Sequence, residues 1–171
     1  MAGLLNIKLA KACKASKIFA TDIDEYRLKT AKQMGADIVV NAKDNIAEKI
    51  KKNNNGELID FVILCAGAPS AVKQAIECVK PGGKILWFAM TGPDEDVPIP
   101  FFDLWNKQIT TYSTYAAEGK DLTDAIELLS SGKVKIEDMI THKLPMDKTA
   151  EGFKLVSDAK ESMKVIIEPQ K

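Results

Sequence analysis

The sequence predicts an α/β fold built on a doubly wound parallel sheet that lacks one strand. Short runs rich in β-branched and aromatic residues recur at 17–21, 37–40, 59–65, 84–89 and 108–115. Most of the segments between them carry apolar residues at helical i, i+3, i+4 spacing. Strands that read as continuous apolar runs, separated by helices, belong to a parallel sheet covered on both faces.

The elements follow in order. Leu5, Leu9, Ala12 and Cys13 fall on one helical face, with Lys8, Lys11 and Lys14 elsewhere. Lys-Ile-Phe-Ala-Thr at 17–21 is the first strand, and a helix starting near Glu25 runs to Gly35, a C-terminal stop. The strand at 37–40 and a lysine-rich helix end at 49–52 precede the turn run Asn53-Asn54-Asn55-Gly56. After the strand at 59–65, Val72, Ala75, Ile76 and Val79 repeat the helical spacing, and Pro81-Gly82-Gly83 ends that helix. The stretch from Thr91 to Pro100 holds three prolines and three acids and reads as an ordered loop over the strand ends. Leu122, Ala125, Ile126 and Leu129 mark a further helix. Residues 140–171 read as extended, helical and extended again, an arm belonging to a second structural unit, which sets 1–139 apart as the main domain.

Composition narrows the function classes. At 171 residues the chain has room for one domain of roughly 150 residues and little more. Lys+Arg and Asp+Glu balance at 24 each, so no overall field gathers nucleic acid or anionic lipid. No apolar run approaches the ~18 residues of a membrane-spanning helix, and the N-terminus has no secretion-signal layout. A soluble cytoplasmic protein is expected. Cys13, Cys65 and Cys78 are odd in number and widely spaced, as buried thiols in a reducing compartment are. With no Cys-x-x-Cys pair and a single histidine, His142, the chain has little material for a zinc site or an imidazole-based catalyst. No catalytic residue is assigned.

Asp22 is the most informative residue. It ends a strand 19 positions after Gly3, and a helix follows it. In dinucleotide folds an acid there accepts hydrogen bonds from the adenosine ribose, and its charge repels a 2′-phosphate. Arg27, five residues on, is placed to cover the adenine or approach the phosphates. The alternative is that Asp22 only N-caps the next helix, since Thr-Asp-Ile-Asp also suits capping. Other candidates stand at strand ends, where open α/β sheets bind ligands. Cys65 and Gly67 follow one run and Phe88-Ala89-Met90 another, Gly67 allowing close approach to backbone and Cys65 reading as a core thiol. A complete Rossmann-like fold opens with a strand and Gly-x-Gly-x-x-Gly, and none of the ten glycines forms that triple. The sequence enters at Gly3, in front of the helix that should follow the loop, so the first strand and glycine loop are lacking.

Together these residues resemble the C-terminal half of a medium-chain zinc-dependent dehydrogenase of the sorbitol, threonine and alcohol dehydrogenase group. The resemblance spans essentially the whole chain. It rests on Gly3-Leu4-Leu5, Thr21-Asp22 with Arg27-Leu28 and Ala31-Lys32, Gly35-Ala36-Asp37, Cys65-x-Gly67, Pro81-Gly82-Gly83, Ile140 to Pro145, Phe153 and Lys164-Val165. It implies NAD as cofactor, Gly3 as the last glycine of the phosphate loop, and Asp22 with Arg27 as the NAD-selecting acid and its basic companion. It also implies that Phe88, Ala89 and Met90, with Tyr112, Ser113 and Thr114, line the nicotinamide side. Thr114 stands where some polyol dehydrogenases carry arginine, so polyol specificity is not supported. The family's zinc ligands lie in an N-terminal domain outside this chain, which implies an isolated chain without metal and without activity.

Two further expectations concern partners. In the strand order 3-2-1-4-5-6 the lacking strand is central, between the strands at 17–21 and 59–65. Unpaired buried backbone groups each cost about 1–3 kcal/mol, so the terminal strand at 162–167 or a strand from a second chain is expected to fill the slot. The resemblance also implies a homo-oligomer paired through the sheet edge at 108–115. The rival readings are a methyltransferase using S-adenosylmethionine and a non-catalytic association fragment with weak or no nucleotide binding.

Overall fold

A computed structural model describes residues 1–158 and 160–170. The arm expected at 140–171 thus includes two positions, 159 and 171, outside the described residues. In chain order the elements are α1 (Ala2–Ala12), β1 (Phe19–Asp22), α2 (Glu25–Gln33), β2 (Ile38–Asn41), α3 (Ile46–Asn53), β3 (Ile59–Leu64) and α4 (Pro69–Cys78). There follow β4 (Val79–Trp87), α5 (Phe101–Asn106), β5 (Thr110–Ser113), α6 (Gly119–Ser130), β6 (Ile140–Pro145), α7 (Thr149–Asp158) and β7 (Lys164–Glu168). Every strand pair is parallel: β1 with β2, β3 with β4, β4 with β5, and β6 with β7.

The doubly wound arrangement follows from the alternation along the strands. Ala20 of β1 and Val39 of β2 pack with Leu4, Ile7, Ala31 and Met34 under α1 and α2. Phe19, Ile38 and Val40 point the other way, joining Ile46 and Ile50 of α3 and Cys78 of α4. Side chains one residue apart thus feed opposite layers. On β3 and β4, Val62, Leu64, Ile85 and Trp87 face α4 and α5, where Val79 and Ile85 are completely buried.

Sequence periodicity misplaced several features. The buried side of α1 is Leu4 and Ile7, while Leu5 and Leu9 are exposed, because a helix with leucine, isoleucine and alanine nearly all round offers two apolar stripes and packing selects one. The apolar stripe of α6 is present, yet Leu122, Ile126 and Leu129 are exposed and none of its residues is buried. Pro81-Gly82-Gly83 lies inside β4, whose pairing to β3 jumps from Ile59↔Val79 to Phe61↔Lys84 across an irregularity. Gly82 there takes φ +73°, and a Cβ on Gly83 would crowd Val79 and the carbonyls of Lys80 and Asp60.

The terminal strand does not fill the slot. Among the described residues β1 and β3 are each paired on one side only, and β7 pairs with β6 across α7 instead. The short connection through α7 makes β6–α7–β7 a βαβ unit of its own, with Gly152 of α7 set against Leu144, Val165 and Ile167. That unit is tied to the main body through Met139 in the core beneath α1 and through the Lys8–Asp138 ion pair at 2.7 Å.

Candidate functional site

Parallel pairing puts the carboxyl ends of β1 through β5 along common edges, where open α/β sheets hold ligands. At the end of β1, Asp22 is half-buried, and its Oδ1 accepts the Asp24 amide at 3.0 Å. Its Oδ2 faces Arg27 Nη1 at 3.9 Å. The capping role falls to Asp24, whose Oδ1 accepts the Arg27 amide at 2.9 Å. Asp22 therefore does not cap α2. It retains an oxygen that no backbone group occupies, facing the Arg27 guanidinium.

Across the slot, the end of β3 meets α1. Gly3 lies within α1, not in front of it, and a Cβ there would stand 3.6 Å from Cys65 Cβ, an ordinary contact. Asn6 Nδ2 donates to Cys65 Sγ at 3.5 Å. Burial pushes the Cys65 thiol above its usual range, against a smaller opposing effect of the Asn6 hydrogen bond. Such a thiol stays protonated near neutrality and is a poor nucleophile. Gly67 is a glycine for lack of space: a Cβ would come closer than 3.0 Å to the Met90 carbonyl oxygen. This contact joins the segment after β3 to the segment after β4. Phe88 and Ala89 amides donate to the Leu64 carbonyl at 3.1 and 2.8 Å, extending that junction.

The ends of β4 and β5 are open. Phe88 is 44 % and Met90 73 % exposed, and Ser113 and Thr114 are exposed as well. Tyr112 turns to the sheet face and packs on Phe61 with ring centroids 6.1 Å apart, so its ring is not at the strand end. His142 bonds Thr141 Oγ1 at 2.9 Å within β6, a local structural contact.

The structure thus gathers Asp22 and Arg27 at one place, and Gly3, Cys65, Gly67, Phe88, Ala89 and Met90 at another. Sequence reasoning missed Asn6, Asp24, Glu25 and Asn41. The last stands beside Asp22 in strand register and donates to Glu25 Oε1 at 2.6 Å. Pairing the strands at 17–21 and 37–40 end to end exposes that neighbour. Among the described residues no group of three or more His, Cys, Asp or Glu side chains converges, so these residues do not fit a metal centre.

Known proteins share this architecture. The sequence profile of a family described as zinc-binding dehydrogenase matches residues 2–131. An L-threonine 3-dehydrogenase of Bacillus licheniformis is 32% identical over 157 residues, covering 90% of this chain and 45% of that protein. An alcohol dehydrogenase from Thermus sp. ATN1 superposes with a TM-score of 0.86 at 28% identity, over 98% of this chain and 49% of that one. An alcohol dehydrogenase of Escherichia coli CFT073, solved with NADH, has a TM-score of 0.86 at 24% identity, over 96% of this chain and 48% of its own. The chain spans about half the length of the relatives it matches. The methyltransferase alternative is set aside by the profile match. By that match, which covers most of its length, the chain belongs to the zinc-binding dehydrogenase family.

Proposed function

We propose that this chain is the coenzyme-binding part of an NAD-dependent alcohol or polyol dehydrogenase, with residues 1–139 as the nucleotide-binding unit and 140–171 as an arm reaching toward a catalytic unit. The observation that carries the reading is Asp22, whose Oδ2 at the end of β1 takes no backbone hydrogen bond and meets only Arg27 at 3.9 Å, while Asp24 caps the helix. Ribose hydroxyls donate to that oxygen, and Arg27 covers the adenosine side. Gly3, Cys65 and Gly67 let the dinucleotide approach the backbone where α1 meets β3. Phe88, Ala89 and Met90, with Ser113 and Thr114, flank the nicotinamide, while Tyr112 packs on Phe61 at the sheet face. NAD, when bound, supplies the hydride acceptor; this chain's residues bind and orient it. No step is assigned to zinc, because the residues here do not fit a metal. Hydride transfer from an alcohol therefore needs groups beyond this chain.

The single-sided pairing of β1 and β3 supports a strand from another polypeptide segment between them. Among the described residues β5 is paired on one side only, and that edge, with Tyr115, Phe101 and Trp105 exposed nearby in sequence, supports self-association. Three free cysteines suit a reducing cytoplasmic setting. Among the described residues no helix is long and apolar enough to cross a membrane.

Calorimetric titration of the chain with NAD tests the reading, with Asp22→Ala as the control. Saturable binding that the variant loses is the expected result. Equal binding by the two proteins would overturn it.

A further inference from the structure

We infer that Glu25, held by Asn41, is a second selectivity element that keeps a 2′-phosphorylated dinucleotide out of the adenosine site. The inference rests on the reading of Asp22 as the ribose acceptor. A 2′-phosphate on that ribose would arrive at the turn between β1 and α2, beside a helix N-terminus that otherwise attracts anions. Here that attraction is met from within the chain. Asp24 caps the Arg27 amide at 2.9 Å, and Glu25 adds its charge in the first turn of α2.

Where Glu25 points is decided by Asn41. Lys29 lies four residues on, the Glu-to-Lys spacing that favours an ion pair on an exposed helix. Glu25 reaches the other way, and its Oε1 accepts Asn41 Nδ2 at 2.6 Å. Asn41 closes β2 and is the register partner of Asp22 on β1. Its amide orientation is fixed by its two partners: Oδ1 accepts the Lys43 amide at 3.0 Å, which leaves Nδ2 to donate to the carboxylate. The carboxylate is therefore drawn toward the strand ends, and Lys29 does not neutralise it. Three carboxylates, Asp22, Asp24 and Glu25, then share this turn with one guanidinium, Arg27, at 3.9 Å from Asp22. The free ribose hydroxyl of NAD carries no charge to feel this surplus, whereas a phosphate carries nearly two. The surplus acts on the difference between the two nucleotides and leaves NAD untouched.

The test is the ratio of NADP to NAD affinity, measured by titration of the full chain at low and high ionic strength. Asp22→Ala, Glu25→Gln, Asn41→Ala and Asn41→Gln are compared with the unaltered protein. Glu25→Gln and Asn41→Ala should each raise the ratio by about three- to tenfold at low salt, NAD affinity staying constant, and the gain should shrink as salt screens it. Asn41→Gln, which keeps the donor, should stay nearer the original ratio. An unchanged ratio in Glu25→Gln, with NAD binding still lost in Asp22→Ala, would overturn the inference and leave the ribose reading intact. A parallel fall for both nucleotides in Asn41→Ala would make Asn41 merely structural and also overturn it. Undiminished NAD binding by Asp22→Ala, or no uptake of either nucleotide by the unaltered chain, would overturn the ribose reading and this inference with it.

Discussion

The half of the sheet built on β1 and β2 and the half built on β3 to β5 differ in how completely this chain covers them. Both faces of the first half carry helices, α1 and α2 on one side and α3 with α4 on the other. Its polar groups at the strand ends are paired, Asp24 to the Arg27 amide and Asn41 to Glu25. The second half is packed by α4 and α5 on one face. On the other, the tilted rings of Phe61 and Tyr112 meet while each remains 42 % exposed. Its strand ends leave Phe88 and Met90 exposed, and α6 shows its apolar stripe to solvent. The difference teaches that the half holding Asp22 and Arg27, the adenosine side in the proposed function, is covered by helices of this chain, while the strand ends proposed to flank the nicotinamide stay exposed. Burial, not the presence of the right residues, separates the two.

Breaking the cores should show whether the halves nevertheless fold together. Ile50 in α3 and Ile85 in β4 are 2 % and 0 % exposed, and replacing either by alanine should cost about 2–5 kcal/mol. Because α1 contacts both α2 and β3, and Ile59 packs with Ile50, denaturant should report one transition that both variants lower. Two transitions, each moved by one variant, would divide the molecule at the slot. At the strand ends of the second half, Gly67→Ala should lose about 1–3 kcal/mol, because the new methyl meets the Met90 carbonyl. A denaturation midpoint equal to that of the unaltered protein would show that this junction yields freely.

A pH titration sharpens the comparison from the buried seam between the halves. Burial pushes the Cys78 thiol up to about 11, well above the ordinary thiol value that an unfolded chain shows. Between those values the unfolded state binds fewer protons than the folded one, so stability is full below the ordinary pKa and falls as pH rises. The slope should approach about 1.4 kcal/mol per pH unit before levelling above the folded value. Cys78→Ala should remove this alkaline slope, as followed by denaturation at successive pH values. The smallest effect belongs to α6. Ile126→Lys, at a position 65 % exposed, should change the stability of the monomer by less than about 0.5 kcal/mol. Sedimentation should show weaker self-association if the uncovered side of the second half is where copies meet.

How much of this could be read in the sequence tracks the same division. The runs at 17–21 and 37–40 became β1 and β2 because strands buried on both faces need continuous apolar residues, and the run at 59–65 became β3, whose Val62 and Leu64 pack under α4 while Phe61 stays exposed. Gly35, at φ +117°, and Gly56, at φ +84°, were legible as stops because few other residues adopt those angles. The helix α5 was not, since only Leu104 of its six residues is buried and no repeat can show in so short a piece. Nor was the choice of Leu4 and Ile7 over Leu5 and Leu9, which depends on what lies beneath α1. At the site, Asp22 stood out by its place at a strand end. Glu25 and Asn41 did not, because their meaning lies in a hydrogen bond between α2 and β2, and Asp24 did not because it and Asp22 were equally placed to cap α2.

The most direct test of the account sets adenosine 5′-monophosphate against NAD on the unaltered chain. If only the adenosine side is complete, the two should bind with affinities within about threefold of one another, and nicotinamide mononucleotide should not bind. Binding of NAD more than about tenfold tighter than the monophosphate, or saturable binding of nicotinamide mononucleotide, would contradict the account and show that the open half grips its ligand as it stands.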